Sequence, residues 1–223
     1  MPELNSPMHI QMLETAHKVG QIERDGVYGL QWGDPQTHPA LRWVRDHYLL
    51  PYVNPDQSAV EIGPGGGRWT RYLLGFGHIC AVDYHRPLLD ELESNYRAPH
   101  LSTLHNNGTD FPGIDDASVD FVFSFGCFVH LDLPVIEAYF RSIHRILKPS
   151  GCAVIQYSDK NKEAARKYGR GFSDTTPEII RPLLIDCGHR ILEEDVTTIW
   201  HSSIVRFAPI ALPEEASGPL PGC

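Results

Sequence analysis

Val60-Glu61-Ile62-Gly63-Pro64-Gly65-Gly66-Gly67-Arg68 is an apolar run that ends in an acid and an alternating glycine series. The segment from Arg68 to Leu74 behind it reads as the start of a helix. Such a strand–turn–helix brings bare backbone to the carboxyl end of a strand. Only glycine allows both the φ values of a tight turn and the close approach of a nucleotide-like ligand. The same alternation continues outward. His78 to Val82 is a second β-rich run ending in Asp83, and Pro87 then opens a segment with Leu88, Leu89, Leu92 and Tyr96 at helical spacing. Leu101 to His105 is a weaker third strand, and Val119 to Phe125 a strong fourth. Pro134 opens the best helix, with Val135, Ile136, Tyr139, Phe140, Ile143, Ile146 and Leu147 on one face. Lys148-Pro149-Ser150-Gly151 ends it, and Cys152 to Tyr157 is the fifth strand. Strands alternating with amphipathic helices predict a parallel sheet with crossover connections.

Toward the C-terminus, Thr176-Pro177 predicts a capped helix that Pro182 should kink or split, with Gly188 as its stop. Arg190 to Trp200 and Ser203 to Phe207 then predict an antiparallel hairpin. Toward the N-terminus, helical spacing over Met8–Glu23 and Pro39–Tyr52, with a turn at Trp32-Gly33-Asp34-Pro35, predicts a helical extension. The expected organisation is an extension over 1–55 acting as a cap or lid, a main domain over 56–209 and a loose tail over 210–223.

The composition narrows the function classes. The 223 residues suit one domain with its own core. A hydrophobic content of 42 % against 21 % charged residues excludes disorder along the whole chain. The most apolar stretch, Phe121 to Leu131, falls far short of the ~20 residues a membrane span needs. No basic n-region opens the chain, so no signal peptide is expected. Cys80, Cys127, Cys152, Cys187 and Cys223 are widely spaced, odd in number and without a C-x-x-C pair, and four lie in apolar surroundings. They read as small core residues in a reducing, cytoplasmic compartment. Nineteen basic against 28 acidic residues leave a net charge of −9, so a nucleic-acid backbone is not the expected partner. Twelve histidines form no ligand set with the cysteines, and no metal is expected.

Two cofactor classes use a glycine turn of this kind. Dinucleotide enzymes want G-x-G-x-x-G, and here Arg68 stands where the third glycine belongs. The chain instead resembles the seven-stranded, class I S-adenosylmethionine-dependent methyltransferases. Their first motif is acidic-x-Gly-x-Gly-x-Gly, matched by Glu61 to Gly67. Asp83, the Asn106-Asn107-Gly108-Thr109-Asp110 loop, Val119 to Ser124 and Leu147 to Cys152 follow in the family's order. Trp32-Gly33-Asp34, Tyr52-Val53, Asn107-Gly108-x-Asp110 and Phe123-Ser124-Phe125 look like a bacterial subgroup that tailors sugars or secondary metabolites.

The resemblance implies a doubly wound, seven-stranded, mostly parallel α/β sheet closed by the antiparallel hairpin. It implies S-adenosyl-L-methionine as cofactor and S-adenosyl-L-homocysteine as product. By family position the cofactor lies against Gly63, Pro64, Gly65 and Gly67, with Glu61 at its amino-acid end and Asp83 on both ribose hydroxyls. Tyr84, Asn107, Gly108, Thr109, Ser124 and Phe125 border the rest. His130, just past the fourth strand, is the candidate general base for a hydroxyl acceptor, or a structural histidine. Trp32 and Asp34, with Tyr28, are candidates for a lid, and Tyr157 for a substrate contact. The expected reaction is methyl transfer to a hydroxyl, or secondarily an amine, of a small-molecule acceptor such as a sugar or secondary metabolite, with a homodimer as the candidate assembly. A non-catalytic cofactor-binding protein that kept the fold and, more remotely, a nicotinamide oxidoreductase stay open as other readings.

Overall fold

The computed structural model describes residues 27–167 and 169–210. The helix expected over residues 8–23, the tail beyond residue 210 and Cys223 lie outside them, as does the Arg170 side chain. Seven strands form one sheet: β1 Ser58–Ile62, β2 His78–Asp83, β3 Leu101–His105, β4 Val119–Ser124, β5 Leu147–Ser158, β6 His189–Asp195 and β7 Ser202–Pro209. Their spatial order is β3-β2-β1-β4-β5-β7-β6, and only β7 runs against the others. From β1 the chain winds outward to β2 and β3, then returns to place β4 on the other flank of β1. The carboxyl ends of β1 and β4 are therefore the topological switch point, where an open α/β sheet leaves a crevice.

The period-two alternation of β1 and β4 sorts their side chains between two layers. Val60, Ile62 and Val122 pack with Phe128, Tyr139, Phe140 and Ile143 on one face. Ala59, Phe121 and Phe123 pack with Tyr48, Leu49, Trp69, Leu73 and Phe76 on the other. The first layer is supplied mainly by helix α4, Leu133–Ile146, which buries the six residues from Val135 to Ile146 that the helical spacing picks out. At roughly 1.5–3 kcal/mol per buried large apolar side chain, this face holds the helix on the sheet. The other layer is closed by a helical stretch, α1 Pro39–Val44, a wider turn at Arg45–Leu49 and a tighter one at Leu50–Tyr52. Tyr52 stacks on Phe121 of β4 at 5.1 Å, so this part of the extension is core rather than appendage.

Three local expectations need correction. The helix behind the glycine turn is only α2, Thr70–Leu73, because Gly66 to Trp69 form turns first. The next helices are α3, Arg86–Asn95, and, after α4, the short α5, Glu163–Lys167. Helix α6, Pro177–Asp186, is not split by Pro182. Proline there forfeits only a bond to the Glu178 carbonyl, and both residues lie on the exposed side where water can serve that oxygen. Strand β6 stops at Asp195 rather than at Trp200. The Asp195 carboxylate accepts from the backbone N–H groups of Thr197 and Thr198 at 2.8 and 3.0 Å, turning the chain out of the sheet.

Candidate active site

The glycine turn sits at the switch point. Gly63, Gly65 and Gly67 have φ of 70°, 57° and 102°, and Gly63 N–H donates to the Val82 carbonyl of β2 at 2.8 Å. A Cβ on Gly63 would lie 2.5 Å from the Cys127 Cβ, and one on Gly67 2.3 Å from the Tyr96 ring. The turn is thus bare because backbone and neighbours leave no room for a side chain. Pro64 supplies the carbonyl that Gly67 N–H bonds at 3.0 Å. Glu61 is buried at 2 % exposure and accepts from the Thr70 hydroxyl at 2.5 Å. Burial pushes its carboxyl up to about 8, against the opposing pull of Thr70 and Arg68.

Asp83 ends β2 at the same level. One carboxylate oxygen, Oδ1, accepts from His85 N–H at 2.8 Å and lies 3.1 Å from His85 Nδ1. No described residue bonds Oδ2. Tyr84 gives its carbonyl to His105 Nε2 at 2.9 Å, which ties the end of β2 to the end of β3. Beyond β3, Asn106 is buried and organises the loop: its Oδ1 accepts from Gly108 N–H at 3.1 Å, and its Nδ2 donates to the Asp110 carbonyl and the Tyr139 hydroxyl. Asn107 Oδ1 takes the N–H and hydroxyl of Thr109. Gly63, Asp83, Tyr84 and Gly108 thereby line one crevice together with Cys127 and Tyr139.

The other expected residues have partners of their own. The Ser124 hydroxyl is buried and donates to the Ile62 carbonyl at 2.8 Å, joining β4 to β1. Tyr157 is fully buried and donates to Glu194 of β6 at 3.0 Å, inside the layer under α4. Phe125 packs its ring 4.7 Å from Trp69. Asp34 pairs with Arg71, and Trp32 meets Tyr28 edge-on at 5.3 Å. Residues 28–34 lie along the glycine turn, where Gly66 N–H donates to the Tyr28 carbonyl at 3.2 Å.

His130 closes a short turn after β4, Phe128–His130. Its Nδ1 lies 2.7 Å from the Gly171 carbonyl. A carbonyl only accepts, so Nδ1 carries the proton and the lone pair of the neutral ring is on Nε2. Burial lowers the His130 pKa below its ordinary value, with the Gly171 carbonyl opposing. Phe172 stands between two imidazoles, 5.3 Å from His130 and 4.9 Å from His201. Burial, with Lys162 and His130 nearby, depresses His201 to about 4. His201, Cys127 and Arg68 carry no motif that singles them out in the sequence; only the packing brings them to this end of the sheet.

Residues 60–155 match the family model described as methyltransferase domain. This segment is similar to that domain, over somewhat less than half of the chain. Among solved structures, a methyltransferase of Haloferax volcanii in complex with the Trm112 activator is 20 % identical, with a TM-score of 0.64, over 82 % of this chain and 94 % of that one. A TehB-like S-adenosylmethionine-dependent methyltransferase from Corynebacterium glutamicum is 17 % identical with a TM-score of 0.61, over 88 % and 99 % of the two chains. One from Mesorhizobium loti is 14 % identical with a TM-score of 0.65, over 78 % and 99 %. At these identities the likeness is one of fold.

The matched family model and the S-adenosylmethionine-dependent neighbours indicate S-adenosyl-L-methionine as cofactor. The donor set suits it: a turn without side chains for the approach of the cofactor, a carboxylate at the end of β2 with one oxygen unclaimed among the described residues, and a positive-φ glycine at residue 108. Among the described residues, no three His, Cys, Asp or Glu side chains are grouped to hold a metal ion. No described helix is long and apolar enough to cross a membrane. A separate cavity of about 370 Å³ lies by Tyr52, Asp120, Pro149, Cys152 and Arg206, at the amino ends of β1 and β4. The switch-point crevice is lined by Gly63 of the turn, Asp83 and Gly108.

Proposed function

We propose that the protein transfers a methyl group from S-adenosyl-L-methionine to a hydroxyl of a small molecule such as a sugar or secondary metabolite, with His130 as general base. The observation that carries this reading is the His130–Gly171 hydrogen bond, which selects the tautomer with a basic Nε2. The lowered pKa keeps the ring neutral at pH 7, ready to accept a proton. The bound cofactor supplies an already activated methyl on a positively charged sulfur. What remains for the protein is to align the acceptor oxygen and take its proton. Nε2 of His130 receives that proton, and the Gly171 carbonyl steadies the resulting imidazolium through Nδ1–H. Gly63 to Gly67 and Asp83 hold the cofactor across the switch point.

The test is transfer of label from S-[methyl-³H]adenosylmethionine to a panel of hydroxyl and amine compounds. A hydroxyl compound is expected to take up label, and His130→Gln to lower kcat by about 10²–10⁴-fold with little change in S-adenosylhomocysteine affinity. Equal turnover by His130→Gln would remove the histidine from the chemistry. Tight cofactor binding with no transfer to any acceptor would favour the non-catalytic reading.

A further inference from the structure

The cavity of about 370 Å³ at the amino ends of β1 and β4 has a size of its own to explain. Small-molecule pockets run from about 300 to 1,000 Å³. It shares no lining residue with the switch-point crevice. Four successive strands supply its floor: Phe121 of β4, Cys152 of β5, Arg206 of β7 and Arg190 of β6. The register puts them on one face, with Phe121 beside Cys152, Val154 beside Arg206 and Ala208 beside Arg190. Tyr52 and Val53, which the sequence singles out, line this cavity and not the crevice.

The charges around it do not cancel. Asp120 is held by Lys148 Nζ at 2.9 and 2.8 Å and by Ser58 N–H at 3.0 Å. Arg206 keeps the Glu193 carboxylate at 3.2 Å, and its guanidinium carbon lies 5.6 Å from the centre of the Tyr52 ring. Arg190 is exposed and, among the described residues, has no carboxylate within 4.0 Å. One positive charge is therefore left over, in a chain whose net charge is −9. Two guanidinium groups on one cavity repel each other, and an anion between them relieves that. A guanidinium fork without a carboxylate receives one bidentately. Ser150 and the side-chain amide of Gln57 line the same cavity, and their polar atoms bond no described residue. Tyr52, Pro149 and Leu192 add apolar wall.

We propose that this cavity is a second ligand site, for a small planar organic monocarboxylate. Arg190 takes the carboxylate with Arg206 beside it, and the planar body lies against Tyr52 and Leu192. A dianion such as a phosphate ester fits less well, because the Asp120 carboxylate opposes the second charge. The site stands whether or not the crevice binds the expected cofactor.

The test follows amide ¹H–¹⁵N shifts of the full chain during titration with 2-naphthoate, its neutral counterpart 2-naphthamide and the dianion of 2-naphthyl phosphate. 2-Naphthoate is expected to bind with Kd of about 1 mM or tighter. It should move the amides of residues 52–57, 150–152 and 190–192 and leave those of 63–67 in place. 2-Naphthamide is expected to bind about 10-fold more weakly, having lost the charge-assisted bonds. Arg190→Gln should weaken 2-naphthoate by about that factor and change 2-naphthamide, and S-adenosylhomocysteine at the distant crevice, by less than about twofold. Should that variant not fold, the acid and the amide on wild type decide alone. No shift in these segments at about 10 mM 2-naphthoate overturns the proposal. Equal affinity for acid and amide overturns it too, because the arginines would then play no part. Tighter binding of the phosphate overturns the monocarboxylate class, and shifts confined to residues 63–67 place the compound in the crevice and overturn the second site.

Discussion

At the scale of single residues, the turn is under steric control that can be measured. Gly63 holds φ of 70° with Cys127 pressed against the place a Cβ would occupy. Gly63→Ala is expected to cost about 2–4 kcal/mol, from the left-handed backbone and the overlap together. Adding Cys127→Gly should return the steric share, giving a favourable coupling of at least about 1 kcal/mol in a double-mutant cycle read by urea denaturation. Strict additivity of the two changes would show that the pair does not compete for one space. The glycines themselves were legible in the sequence, because only their spacing behind an apolar strand matters. What they pack against was not. Ser124 spends its hydroxyl on Ile62, Tyr157 on Glu194, and Arg68 reaches carbonyls 35 and 39 positions away. Those choices are tertiary, and no local pattern encodes them.

At the scale of elements, strands and crossover helices were legible wherever periodicity and a breaker coincide. Leu101–His105 is a strand over the range expected, and α4 buries the expected face. Strand β6 was overread because Val196, Ile199 and Trp200 extend an apolar run past the point where Asp195 turns the backbone. At its other end β6 is clasped to α4. His189 is buried, Nε2 donates to the Phe140 carbonyl at 2.9 Å, and the ring packs on Phe207 at 4.6 Å. Burial depresses its pKa to about 4, aided by His144. The unfolded chain, with histidine near 6.5, then binds a proton the native state refuses, so stability rises with pH across that interval. His189 is expected to make its full contribution above about pH 6.5 and to withdraw up to about 3 kcal/mol as pH falls to about 4. Urea midpoints between pH 4.5 and 7.5 should show that slope reduced in His189→Phe, whatever the variant's absolute stability. An unchanged slope would place the titration elsewhere.

For the whole molecule, the strand order explains why chemistry collects at one rim. The chain leaves β1 in one direction and returns to β4 on its other side, so the loops after β1, β2, β3 and β4 all open on the same crevice. The segment over 28–34 comes back across that rim from outside the sheet. It is held by Gly66 N–H on Tyr28, by Arg68 on Gly29 and Gly33, and by Arg71 on Asp34. Strap and turn therefore share bonds, and a ligand that stabilises one must stabilise the other. At a free ligand concentration near 100 Kd, binding adds about 2.7 kcal/mol against any opening that releases the ligand. Saturation with S-adenosylhomocysteine is expected to slow amide exchange over residues 28–37 and 63–70 in step. The β6–β7 hairpin lies three strands from β1 and shares none of these bonds, so its local exchange should stay as it was. Protection confined to the glycine turn, with residues 28–37 exchanging at the ligand-free rate, would separate strap from turn. The segment would then be a neighbour of the site with no part in holding the cofactor.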